Sequence, residues 1–279
     1  MGNLPGDAIA EILARLPIKS LFREFLGIPV DRFYPSRFDL VCFHNCRGKF
    51  CLWNPATRQL LALPCPSPAA SELDRFYYPY YNIGFGYSSS RDEYKVVQLF
   101  DFRDQIGPIF GICCEVYSVS SEVDHHQCSN VWRKISEKCP HPVMGAAACV
   151  QDVLHWMASD EFFQPLVAIV SFDLNEEKFR TMPVSPQWME MCEPGLHEYV
   201  LVVEFWCRLC LFNYWTHVAD MTIGVWMVKD YDKGLLEKCY NINLAHMEDS
   251  ESCGPQEVLG CSILTCMSTM RNLVLEFID

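Results

Sequence analysis

A repeating unit limits the fold of this chain more than any other feature of its sequence. An apolar run ending in an aromatic, a polar turn and a second apolar run recur four times: FCLWNPATRQLLALP, CEVYSVSSEVDHHQCSNVWRKI, AIVSFDLNEEKFRTMP and IGVWMVKDYDKGLLEKCYNI. The anchoring aromatics Trp53, Tyr117, Phe172 and Trp226 are separated by 64, 55 and 54 residues. Self-similarity at such a period marks stacked units, because one unit alone cannot cover its own apolar faces.

Between the copies lie further strand-like runs, among them YNIGFGY at 81–87, EYKVVQLF at 93–100, DVLHWMA at 152–158 and VLVVEFW at 200–206. Their β-branched and aromatic content, bounded by Gly, Pro, Asn and Ser, is the signature of strands. A hairpin per period plus a further pair of strands gives about four strands per repeat, which is the arithmetic of a β-propeller blade. A β-sandwich would also use such strands, but its turns recur faster and without a long period. The expected fold is mainly β, a β-propeller preceded by a short helical hairpin.

The helical part is read from residues 4–16, LPGDAIAEILARL, where Ile9, Ile12, Leu13 and Leu16 fall on one face. Pro5 suits a first turn, Asp7 complements the positive end of the helix, Arg15 the negative end, and Pro17 stops it. A second stripe follows in IKSLFREFL, with Leu21, Phe22, Phe25 and Leu26 together. Two such helices cannot bury both stripes by themselves. They dock either on the rest of this chain or on another polypeptide.

The string Leu4-Pro5, Asp7, Ile9, Glu11-Ile12-Leu13, Arg15-Leu16-Pro17 and Lys19-Ser20-Leu21 resembles the opening half of the F-box, the motif that holds an Skp-type adaptor in cullin-RING ubiquitin ligases. The resemblance implies that Leu4, Pro5, Ile9, Ile12, Leu13, Leu16, Pro17, Leu21 and Phe22 contact that adaptor. In the family the second helix continues into a third. Here LGIPVDRFYPSRFDL follows Phe25, and Pro29 and Pro35 oppose a continuous helix, so the F-box looks truncated.

The body of the chain resembles the kelch-like, F-box-associated interaction domain. The resembling segments are LWNPATRQ at 52–59, IGFGY with DEYKVV at 83–97, EVYSV with VWRKI at 115–135, VLHWMA at 153–158, IVSFDLNEEKFRTMP at 169–183 and VWMVKDY at 225–231. The expected division is partial F-box helices at 1–28, a linker at 29–38 and the β domain at 39–279. Family chains usually run past the point where Asp279 ends this one, which leaves open an incomplete last blade with an exposed edge.

Composition narrows the partners. Lys and Arg number 22 against 35 Asp and Glu, a net charge of −13, which repels phosphate backbones and anionic lipid. Nucleic acid and membrane are therefore not the expected partners. No basic leader precedes an apolar segment at Met1, and the uncharged stretch from Val258 to Met270 is too short for a bilayer, so an intracellular protein of cytosol or nucleus is expected. Without an oxidising compartment, the 16 Cys are expected as reduced thiols.

Few residues of the sequence offer reactive chemistry. CRLC at 207–210 has the spacing of half a zinc site, but as one strand, VVEFWCRLCLF, it would put Cys207 and Cys210 on opposite faces. Cys42, His44 and Cys46 form a looser cluster, and His125-His126 lie in a polar loop that reads as solvated. His155 reads as a core histidine, and Gly84 and Gly86 as strand-packing glycines rather than a dinucleotide site. The pairs Glu176-Glu177 and Asp92-Glu93 read as solvent-facing charge. No cofactor and no catalytic residue is expected. The expected function is a non-enzymatic substrate adaptor, with a binding module lacking the ligase link as the alternative and a non-functional truncated product as a third.

Overall fold

The structure is a computed structural model that describes residues 32–35, 40–44, 50–54, 57, 59–66, 82–101, 112–120, 131–159, 165–183, 199–205, 207–214 and 222–243. The helices expected at 1–28 lie outside the described residues. Every described element of regular structure is a strand, and sixteen strands form four antiparallel four-stranded sheets in strict chain order. The domain is a propeller-like repeat of β-meanders.

The chain divides into two units, Met1–Cys65 with Glu248–Asp279, and Pro66–Met247. In the first unit, β1 (Arg32–Pro35), β2 (Val41–His44), β3 (Phe50–Asn54) and β4 (Gln59–Ala62) make one sheet. Strand β1 falls within 29–38, the stretch expected to be a linker. In register it pairs Phe33 with Phe43 and Tyr34 with Cys42, which makes it the first strand of this sheet, beside β2.

In the second unit the second sheet comprises β5 (Asn82–Ser88), β6 (Glu93–Asp101), β7 (Ile112–Ser120) and β8 (Arg133–Ile135). The third comprises β9 (Val143–Val150), β10 (Val153–Ser159), β11 (Pro165–Asp173) and β12 (Phe179–Pro183). The fourth comprises β13 (Tyr199–Phe205), β14 (Arg208–Tyr214), β15 (Thr222–Asp230) and β16 (Leu235–Asn243). Their first strands are neighbours, with β9 in contact with both β5 and β13.

Each anchoring aromatic sits in the third strand of its sheet: Trp53 in β3, Tyr117 in β7, Phe172 in β11 and Trp226 in β15. All four are buried. The repeat read in the sequence is therefore the register of the sheets. Phe172 packs on Phe179 of β12 at 4.8 Å between ring centroids, and Trp226 carries the ammonium of Lys238 from β16 over its ring.

Two apolar seams join the sheets of the second unit. Val97, Leu99, Cys114 and Val116 meet Leu154, Trp156, Val170 and Phe172 between the second and third sheets. Met157, Ile169 and Met182 meet Leu209, Leu211 and Trp226 between the third and fourth. Each fully buried aliphatic side chain contributes about 1.5 to 3 kcal/mol, so these two seams are strong apolar joints between the sheets.

The first seam requires small residues on β5. A Cβ built on Gly84 would lie 2.5 Å from Leu154 Cδ1, and one on Gly86 would lie 2.5 Å from Cys149 Sγ. These glycines serve strand packing, as their sequence context implies. Two further strands were not evident from sequence. β9, VMGAAACV, is rich in small residues of low strand propensity, and β14 was expected to continue β13. Instead Phe205 pairs with Arg208 and the chain reverses between them.

Candidate interaction site

The strands of the second unit have two unlike ends. At one end the turns are short: residues 89–92 between β5 and β6, 151–152 between β9 and β10, 174–178 between β11 and β12, and 231–234 between β15 and β16. The 121–132 connection between β7 and β8 also leaves from this end. From the opposite end leave the connections 102–111, 160–164, 184–198 and 215–221. A four-stranded meander places alternate connections at opposite ends, so the connections of each sheet divide between the two ends.

The short-turn end is bound across the first seam. Lys95 of β6 is fully buried and donates to the carbonyl of Leu174 at 2.5 Å and to Glu177 Oε1 at 2.7 Å. Arg133 of β8 donates both Nη atoms to the same carboxylate, at 2.8 and 2.6 Å. Glu93 stands 3.1 Å from the Lys95 ammonium, and Arg91 3.8 Å from Glu177. Burial alone would raise the Glu177 carboxyl, but the hydrogen bonds from Arg133 and Lys95 outweigh it and hold its pKa at about 2. Glu177, in the left-handed region at φ 58°, is thus an ion-pair centre and not the solvent-facing charge its sequence context implies. Its neighbour Glu176 is exposed, as expected.

Beside this centre the serines of the β5–β6 turn reach the third sheet. Ser88 and Ser90 hydroxyls donate to Asn175 Oδ1 at 2.7 and 2.8 Å. Ser89 binds Asp152 Oδ2 through both its backbone N–H, at 3.0 Å, and its hydroxyl. The Asn175 amide donates to the same Asp152 oxygen at 3.3 Å.

The second seam has a neutral polar chain instead. His155 Nδ1 lies 2.7 Å from Ser171 Oγ, and Ser171 in turn hydrogen-bonds Tyr231 OH. Burial lowers the His155 pKa to about 3. A serine beside an imidazole has the separation of a nucleophile and its base, but Ser171 is only 2% exposed and its oxygen is shared with Tyr231. The trio packs the seam, as expected of a core histidine.

All the residues expected to bind an Skp-type adaptor, Leu4, Pro5, Ile9, Ile12, Leu13, Leu16, Pro17, Leu21 and Phe22, lie outside the described residues, as do His125, His126 and Cys46. Cys207 occupies the β13–β14 turn at φ 61° and is exposed, whereas Cys210 is buried in β14, so a turn rather than strand alternation separates the two thiols. Among the described residues no three His, Cys, Asp or Glu side chains are grouped to hold a metal ion. The ion-pair centre at Glu177 was missed by sequence reasoning, because its partners lie 44 and 82 residues away.

Four consecutive antiparallel meanders, each with a buried aromatic in its third strand, define a β-repeat protein of the propeller class. Residues 28–255 match the model of the F-box associated beta propeller domain. The chain belongs to that family. It is 23% identical to F-box protein At2g40925 of Arabidopsis thaliana, covering 75% of this chain and 50% of the relative. It is 31% identical to the F-box/LRR-repeat/kelch-repeat protein At1g09650 of the same plant, over 53% of this chain and 37% of the relative. It is 29% identical to F-box/kelch-repeat protein At3g23880, also from that plant, over 57% and 40% respectively. The chain spans about half the length, or less, of these relatives.

Proposed function

We propose that the chain is the substrate-recognition adaptor of an Skp-cullin-F-box ubiquitin ligase, working in cytosol or nucleus. The N-terminal helices grip the Skp-type adaptor, and the β domain holds a target protein. One observation carries the reading: an F-box-like string at residues 4–21 runs directly into a family match at 28–255. The chemistry asked of the chain is proximity. Holding a target beside a charged ubiquitin-conjugating enzyme turns a bimolecular transfer into an effectively unimolecular one, and the chain supplies no reactive group.

The target side of the β domain is the end from which the 102–111, 160–164, 184–198 and 215–221 connections leave. Loop length there is free to vary without disturbing the meanders, whereas the opposite end commits many of its side chains to inter-sheet hydrogen bonds and ion pairs.

Co-expression with an Skp-type adaptor followed by pull-down tests the ligase link. The intact chain should retain the adaptor, and Ile12→Asp or Leu16→Asp should abolish retention, because a charge placed in an apolar contact removes about 1.5 to 3 kcal/mol of burial and adds a desolvation cost. Equal retention by both variants would overturn the assignment of that surface. A second reading, a binding module without the ligase link, draws support from β1. A strand stands at Arg32–Pro35, where a longer F-box would still be helical. In that case the intact chain binds its target and retains no adaptor.

A further inference from the structure

We propose that Ser89 is a phosphorylation site for a serine/threonine kinase that selects acidic residues downstream of its acceptor, and that the mark loosens the joint between the second and third sheets. Three observations meet at this residue. Ser89 is exposed, at the tip of the turn that carries Ser88, Ser89 and Ser90. Asp92 stands three residues after it and Glu93 four, so the carboxylates follow the acceptor. Its hydroxyl is a donor to the carboxylate of Asp152, a residue of the neighbouring sheet.

The chemistry is ordinary phosphoryl transfer. The γ-phosphoryl group of ATP moves to Ser89 Oγ, an O–P bond forms as the bond to the ADP leaving oxygen breaks, and the hydroxyl proton passes to the kinase's base. The product has lost the hydrogen that Ser89 gave to Asp152 and carries about −1.5 to −2 charges in its place. Asp152 also accepts the Ser89 N–H at 3.0 Å, so the phosphate cannot withdraw far without breaking the second bond as well. Like charges at hydrogen-bond distance push the two turns apart.

A second effect acts in the same direction. Arg91 lies two residues on, with its guanidinium 3.8 Å from Glu177 and half exposed. A phosphate on Ser89 is a stronger partner for that guanidinium than a carboxylate already shared with Lys95 and Arg133. Drawing Arg91 away removes one of three cations from Glu177. The apolar seam beneath is untouched, so the expected result is a loosened end and not an unfolded domain.

The test uses the full chain, ATP and an acidophilic serine/threonine kinase, followed by mass mapping and thermal melting. One phosphoryl group should map to Ser89, and the modified chain should melt about 2 to 4 °C below the unmodified one, the shift a modest local loss gives in a domain of this size. In the Asp152→Asn background the drop caused by phosphorylation should shrink, because the like charge has gone. Ser89→Ala should block incorporation at that position. Incorporation elsewhere only, an unchanged melting temperature after modification of Ser89, or an undiminished drop in Asp152→Asn would each overturn the proposal.

Discussion

The ammonium of Lys95 and the carboxylate of Glu177 lie 2.7 Å apart across the joint between the second and third sheets, 82 residues apart in the chain. Lys95 is wholly enclosed, and Glu177 also holds Arg133, so the two partners are not equivalent. Glu177→Ala takes the bidentate partner from Arg133 and a carboxylate from the enclosed Lys95, whose ammonium keeps Glu93 and the Leu174 carbonyl, and should cost about 3 kcal/mol. Lys95→Met keeps the aliphatic stem, removes the charge and leaves Glu177 paired with Arg133, so it should cost markedly less. Urea unfolding of the two variants checks the asymmetry, and equal losses would contradict it.

The two joints should also answer acid differently. His155 has its folded pKa pushed by burial to about 3, below its ordinary value of 6.5, so its contribution is complete above pH 6.5 and is lost progressively as pH falls below that. The slope is about 1.4 kcal/mol per pH unit. Glu177, ordinary value 4.5 and folded value about 2, begins to lose its contribution only below pH 4.5. Of these two groups, only His155 loses its contribution between pH 6.5 and 4.5. Urea midpoints at pH 7, 6 and 5 should fall in the native chain and fall less steeply in His155→Gln. An equal slope in that variant would remove His155 from the account.

Gly84 and Gly145 should resist substitution for different reasons. A Cβ at Gly84 would meet Leu154 Cδ1 at 2.5 Å and Trp156 Cζ2 at 2.8 Å, whereas at Gly145 nothing lies within 4 Å but φ is +75°. Gly84→Ala overpacks the seam, at about 1 to 3 kcal/mol. Gly145→Ala strains the backbone, at about 1 to 2 kcal/mol. Shortening the opposing side chain, Leu154→Val, should recover part of the loss in Gly84→Ala and none in Gly145→Ala. Thermal melting of the four chains separates the two causes.

The strands were legible because their signal is local. EYKVVQLF at 93–100 became β6, Glu93–Asp101, and IGVWMVK at 223–229 became β15, Thr222–Asp230. The four aromatics marked the third strand of each sheet because a bulky ring there must be covered by a neighbour. β9 escaped notice since Gly145 and Ala146–Ala148 carry no strand preference, and only their position beside the first strands of two other sheets makes small size an advantage. Glu177 was illegible for another reason. Nothing near it in LNEEKF distinguishes a solvated carboxylate from one that Lys95 and Arg133 enclose, because both partners arrive from another sheet.

The thiols offer a direct reading of which strands are enclosed. Cys65 and Cys207 are exposed, whereas Cys42, Cys114 and Cys210 are buried. Burial drives the Cys42 and Cys114 thiols up, and the Cys210 thiol to about 12. Only the thiolate reacts readily with alkylating reagents. At pH 8, iodoacetamide should therefore modify Cys65 and Cys207 before Cys42, Cys114 and Cys210, which should react only after denaturant is added. Because Cys207 and Cys210 differ so sharply in access, a chelator should not change the rate at either, as it would if CRLC held zinc. Early alkylation of Cys210 would place its side chain at the surface and contradict its burial.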